Sequence, residues 1–258
     1  MSVKPDPGGF PQRKYSAVRW VTAAEMRDVQ RLAQEDFNID ILQLAENAGR
    51  ACGLLALAMV GGKARGQRIV ILCGGGNKGA AGLAAARHLS NWGFHVDPIV
   101  SGVEEEASFT ARRQLQTLRL AGILEPADLE QSEITVEDQL ANAELVIDAL
   151  VGYGLDGPPQ GIAAAVVHLA LQANRPTLAL DVPTGVNATT GEVSFPAIRA
   201  STTLMLDLPK KGMMDNRSRT HVGELFLADL GLPVAVPERL GIRVGSVFNE
   251  GPIVRLRR

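Results

Sequence analysis

The chain has 258 residues, of which 46% are hydrophobic and 21% charged, a length and balance that suit one globular domain with a sizeable core. Its formal net charge of -2 argues against a nucleic-acid or anionic-membrane partner. No apolar run reaches the roughly 18 residues of a membrane span, and MSVKPDPGGFPQRKYS lacks the apolar core of a signal peptide, so a cytoplasmic protein is expected.

Residues 1–16 combine proline, glycine and scattered charge and predict a flexible N-terminal tail. A single domain is expected over 17–245, followed by a C-terminal tail over 246–258 whose RLRR end reads as solvated. From Thr22 the pattern is helical. Thr22 and Glu25 have the spacing of a capping box, and Met26, Val29, Leu32 and Ala33 recur at helical steps. A second helix is expected from about Asp40 to Val60, stopped by Gly61-Gly62. On it Glu46 and Asn47 are polar residues among Ala and Leu, and they read as ties from helix to loop.

Short apolar runs then alternate with helical stretches. The predicted strands are 68–73, 95–100, 144–150, 176–182, 201–208 and 224–230. Helices are predicted at 79–92, 104–121, 135–142 and 162–174. Continuous apolar strands separated by helices imply a doubly wound α/β fold, with a mostly parallel sheet covered on both faces. The last two strands lack a long helix between them, so that edge is expected to be antiparallel or irregular. Cys52 and Cys73 read as buried free thiols, and His88, His95, His168 and His221 show no metal-ligand spacing with them, so neither zinc nor haem is expected.

Ligands of open α/β sheets bind beyond the carboxyl ends of the strands. Three loops there are unusual. CGGGNKGAAG (73–82) offers Gly74, Gly76 and Gly79 before a helix start, where backbone amides and the positive dipole end suit an anion. DALVGYG (148–154) puts Asp148 at the end of an apolar strand, ahead of Gly152 and Gly154. DVPTG (181–185) puts Asp181 at the same point of another strand. Two carboxylates on one rim raise one another's pKa, bind a cation, or divide acid and base roles. Lys210 and Lys211, after Pro209, read either as phosphate contacts or as ordinary exposed loop lysines.

Taken in order, AENAGR (45–50), CGGGNKGAAG, DALVGYG, DVPTG and LPKKG (208–212), with the closing GELFLADLGLP, resemble the NAD(P)H-hydrate epimerase family, the YjeF N-terminal domain. The resemblance implies a Rossmann-like three-layer α/β/α sandwich, often a homodimer. It implies an isomerase that interconverts the R and S forms of hydrated NADH or NADPH, working with a separate dehydratase in cofactor repair. It further implies that the nucleotide lies along Gly76, Asn77, Lys78, Gly79, Ala80 and Ala81, and along Gly152, Tyr153, Gly154 and Leu155. Asp181 then stands beside it as the general acid/base. A potassium ion is implied at the positions of Lys78, Asp148 and Thr184.

The chain departs from that pattern within one loop. Lys78 stands where the family has Asn, and a lysine has three donors and no acceptor, so it cannot ligate potassium. Its ammonium either takes the ion's place beside Asp148 or points into solvent. Ala80 replaces a glycine where the backbone is expected to approach the phosphate, and Ala81 replaces an aspartate. A second reading follows from these changes: a non-catalytic nucleotide-binding or scaffold protein that keeps the fold. An NAD-dependent oxidoreductase fits poorly, because HVDPIVSG (95–102) lacks the acidic residue that would hold a ribose.

Overall fold

The structure is a computed structural model that describes residues 9–102, 104–124, 135–154 and 157–257. It opens with β1 (Gln12–Lys14), α1 (Ala23–Phe37) and α2 (Ile41–Met59). Both helices start at capping boxes. The Thr22 hydroxyl accepts from Glu25 N at 3.1 Å while the Glu25 carboxylate accepts from Thr22 N, and Asp40 and Gln43 do the same for α2. There follow β2 (Arg68–Gly74), α3 (Asn77–Asn91), β3 (His95–Ser101), α4 (Phe109–Leu120), α5 (Val136–Ala141), β4 (Leu145–Ala149), α6 (Gly161–Ala173), β5 (Thr177–Leu180), β6 (Thr202–Leu206), β7 (Glu224–Ala228) and β8 (Ile253–Arg257).

The eight strands form one sheet in the order β1-β8-β7-β6-β5-β4-β2-β3. Along β2, Ile69, Ile71 and Cys73 pack under α2 and α3, while Val70 and Leu72 pack on the opposite face against Val166 and Val167 of α6. A strand buried on both faces has no polar side to show, which is why it reads as a continuous apolar run. Cys52 and Cys73 are buried free thiols, and burial pushes the Cys52 thiol up to about 12.

The edge near the C-terminus differs from its expected form. β6 and β7 pair in parallel, and the antiparallel partner is β8, which covers the far edge of β7. Residues 253–257 are therefore not a solvated tail. Val254 and Leu256 are buried in the core, and Arg255 pairs with Glu224 at 2.6 Å. Nor do 12–14 behave as a tail, because they extend the sheet by pairing with β8. An open edge of β7 would leave a row of backbone groups unpaired; β8 satisfies it, and β1 in turn pairs with β8.

The chain winds outward from β2 to β3, then returns to the other side of β2 to lay down β4. The crevice between the carboxyl ends of β2 and β4 is thus the switch point of the sheet, where such folds bind ligands.

Candidate active site

At that switch point the chain bends sharply from β2 into α3. A Cβ added to Gly79 would lie 1.7 Å from the carbonyl oxygen of Gly74, and one on Gly74 would lie 2.0 Å from Leu150 O. Only glycine lets helix start, strand end and neighbouring loop approach so closely. No side chain caps α3, whose N-cap is Gly76, and its first residues, Asn77 and Lys78, line the crevice.

A cavity of about 520 Å³ opens there, within the range usual for small-molecule sites. Gly74 to Lys78 and Ala81 form one wall, Leu150 to Gly154 another, and Asp181, Leu206 and Lys210 the floor, while Leu44, Ala45 and Ala48 of α2 close an apolar side. The structure thus brings Gly76, Asn77, Lys78, Ala81, Gly152, Tyr153, Gly154 and Asp181 around one space.

Gly79 and Ala80 do not line it. Gly79 serves the strand-helix contact, and the Ala80 methyl packs with Ala45, Ala107 and Ala111. The methyl expected to crowd a phosphate thus sits in that small cluster and is not among the groups that line the cavity. Leu155 lies outside the described residues.

Asp148 and Asp181 sit on one rim, as expected, but each carboxylate has its own lysine. Asp148 is fully buried and saturated. Its Oδ1 accepts from Leu150 N at 3.1 Å and from the Thr184 hydroxyl at 2.7 Å, and its Oδ2 from Thr184 N at 2.8 Å and Lys78 Nζ at 3.1 Å. With four partners it acts as a fixed acceptor that ties loops together. Lys78 also donates to Val182 O at 2.8 Å, to Val151 O at 3.0 Å and, at the longer 3.4 Å, to the Thr184 hydroxyl. Its side chain is 7% exposed, so it does not point into solvent. Burial pulls the Lys78 pKa below the ordinary lysine value, and the Asp148 charge opposes that shift.

Asp181 borders the cavity in a left-handed backbone conformation, φ 65°. Its Oδ1 accepts from Lys210 Nζ at 2.5 Å and from Leu206 N at 3.3 Å. Lys210, 1% exposed, also donates to Leu206 O at 2.8 Å, and its ammonium lies 5.9 Å from the centre of the Tyr153 ring. Burial pushes the Tyr153 phenol above its ordinary pKa, and its hydroxyl bonds to Gln30.

Lys210 is therefore the partner of an acid at the cavity floor rather than a phosphate contact. Lys211 turns outward, toward Glu25 at 3.7 Å. The sequence did not single out Arg27 or Gln30, which reach the cavity from α1. Nothing in a surface helix's spacing marks them; only the placement of α1 over the crevice does. Asn47 ties α2 to the loop after β7 by donating to Leu230 O at 2.6 Å, as expected. Glu46 instead joins α2 to α3 and α4, through Arg87 at 2.5 Å and Gln114 at 2.7 Å.

A NAD(P)H-hydrate epimerase of Dehalogenimonas lykanthroporepellens is 37% identical over 96% of this chain and 96% of its own length. The bifunctional NAD(P)H-hydrate repair enzyme Nnr of Moorella thermoacetica is 36% identical over 83% of this chain, which matches 40% of that longer protein. The crystal structure of yeast ynu0 superposes with a TM-score of 0.77 over 93% of this chain and all of that one, at 18% identity, and so shares the fold. Residues 41–212, which carry all three loops and Lys210, match the family described as YjeF-related protein N-terminus, and the chain belongs to that family.

Proposed function

We propose that this chain interconverts the R and S forms of hydrated NADH or NADPH, with the nucleotide phosphates at the start of α3 and the hydrated ring beside Asp181. One observation carries the proposal: a single cavity holds both an uncapped helix N-terminus and a buried carboxylate 2.5 Å from an ammonium. The first suits an anion and the second a proton transfer. The relatives named as epimerases and repair enzymes support the same substrate class.

Inverting the hydrated carbon requires its stereochemistry to be lost and regained. The proton that departs with the hydroxyl as water comes from the Asp181–Lys210 pair, whose ammonium holds it at rest. The adjacent ring nitrogen stabilises the planar cation that remains. Water adds to the other face, and its surplus proton returns to the Asp181–Lys210 pair. The hydrogen bonds from Lys210 and Leu206 both go to Oδ1, which leaves Oδ2 for the substrate. The apolar wall of α2 keeps that exchange in a site of restricted water, where a positioned acid is most effective. Repair then requires a dehydratase that consumes one epimer.

The second reading, a nucleotide binder without turnover, has its own support in Ala81. That residue presents a methyl to the cavity, 2% exposed, where the family pattern has a carboxylate. Following R-to-S conversion of hydrated NADH, coupled to an epimer-specific dehydratase, separates the two. Conversion above the spontaneous rate supports the epimerase. Ligand-induced thermal stabilisation with no conversion supports the binder.

A further inference from the structure

The resemblance implies a potassium ion at the positions of Lys78, Asp148 and Thr184, on the loops after β2, β4 and β5, so the residues there must suit such an ion. Four oxygens do converge: Asp148 Oδ2, Thr184 Oγ1, Val151 O and Val182 O. They surround the Lys78 nitrogen at 2.8 to 3.4 Å. A second cation cannot enter a cage already centred on an ammonium, on grounds of volume and of like charge. The residues present therefore do not fit potassium.

We propose that the Lys78 ammonium is a built-in monovalent cation, which makes the site independent of free potassium. The chemistry of the cage agrees with that role at each oxygen. The Thr184 hydroxyl gives its one hydrogen to Asp148 Oδ1 at 2.7 Å, which leaves its lone pairs for Val151 N and Lys78. Val151 O and Val182 O come from two different loops, so one positive centre draws both together. The lysine stem reaches that centre from the first turn of α3 and passes beneath Gly152, where an added Cβ would touch Lys78 Cδ at 3.5 Å. A soluble ion would fasten the same loops reversibly. The lysine fastens them covalently to the helix that starts the anion site, so the crevice is organised without the entropy cost of capturing an ion.

This inference deepens the epimerase proposal for the same site, but its test does not depend on turnover. Thermal melting of the whole chain and of Lys78→Asn is followed as potassium chloride replaces choline chloride at constant ionic strength. The wild type is expected to melt at one temperature throughout. Lys78→Asn, which empties the cage and supplies an amide oxygen, is expected to be less stable and to regain stability saturably with potassium.

A saturable rise in wild-type melting temperature with potassium would overturn the proposal. So would a folded Lys78→Asn that ignores the ion. If that variant does not fold, the wild-type titration alone decides. Epimerisation assayed across the same series should be flat for the wild type. Absence of all turnover would count against the epimerase reading and leave the melting result standing.

Discussion

Lys210 Nζ lies 2.5 Å from Asp181 Oδ1, and both side chains are buried at the floor of the cavity, 29 residues apart in sequence. Removing one member of such a pair strands the other charge in a poorly solvated place. Lys210 is thus expected to position the acid and supply its proton. Lys210→Met should lower kcat by roughly 100-fold or more while KM changes little, the pattern of a lost proton-transfer partner. It should also alter the pH profile of kcat, whereas a merely structural role would lower yield and stability and leave the profile's shape unchanged.

Asp181→Asn keeps the shape of the side chain and its bond to Lys210, but removes the proton carrier. Turnover should fall by at least about 100-fold. Nucleotide binding, read by ligand-induced thermal stabilisation, should persist. Unchanged turnover in this variant would remove Asp181 from the mechanism.

Gly79→Ala would place a Cβ 1.7 Å from the Gly74 carbonyl, which is backbone and cannot swing aside. The β2–α3 turn must open to accept it, at a cost of about 1–3 kcal/mol. A lower melting temperature together with weakened nucleotide binding is expected, because the displaced amides are those proposed to hold the phosphate. Ala80→Gly, by contrast, should lose some stability through its small apolar cluster without improving phosphate binding, since its methyl lies outside the cavity.

Asp207, just after β6, is buried with Oδ1 accepting from Leu230 N at 3.0 Å and Oδ2 without a partner. Desolvation pushes its carboxyl up to about 7 from 3.8. Below pH 3.8 the acid is protonated in both folded and unfolded chains. Between 3.8 and about 7 the unfolded chain ionises while the folded one keeps its proton, so stability falls as pH rises across that window. The loss is complete above it and is on the order of 4 kcal/mol. Asp207→Asn, neutral at every pH and suited to the left-handed φ of 54°, should flatten that decline and raise the melting temperature at pH 8. Melting curves across pH test this, and an unchanged slope would show that Asp207 does not carry it.

The interior strands were legible because each is buried on both faces, which leaves an apolar run such as RIVILC with no helical period. The starts of α1 and α2 were legible because a capping box is a local hydrogen-bond pair three residues apart. The terminal strands were not. IVRLR carries arginines and has no neighbour in sequence to pair with, and its place is set by the open edge of β7, 25 or more residues away.

By itself, the sequence determined the layered α/β architecture, the three loops at the strand ends and the family to which they point. Each of these depends on residues close together along the chain, through periodicity, capping and glycine turns. Only the tertiary structure decided where the charged side chains go. Lys78 turned inward to a cage of oxygens on two other loops, Lys210 turned from a supposed phosphate contact to Asp181, and the Ala80 methyl went into a small alanine cluster. A lysine's long stem permits many directions, and the one it takes is set by the acceptors and the burial that distant segments bring to it. Those acceptors exist as a set only once β2, β4, β5 and β6 lie side by side.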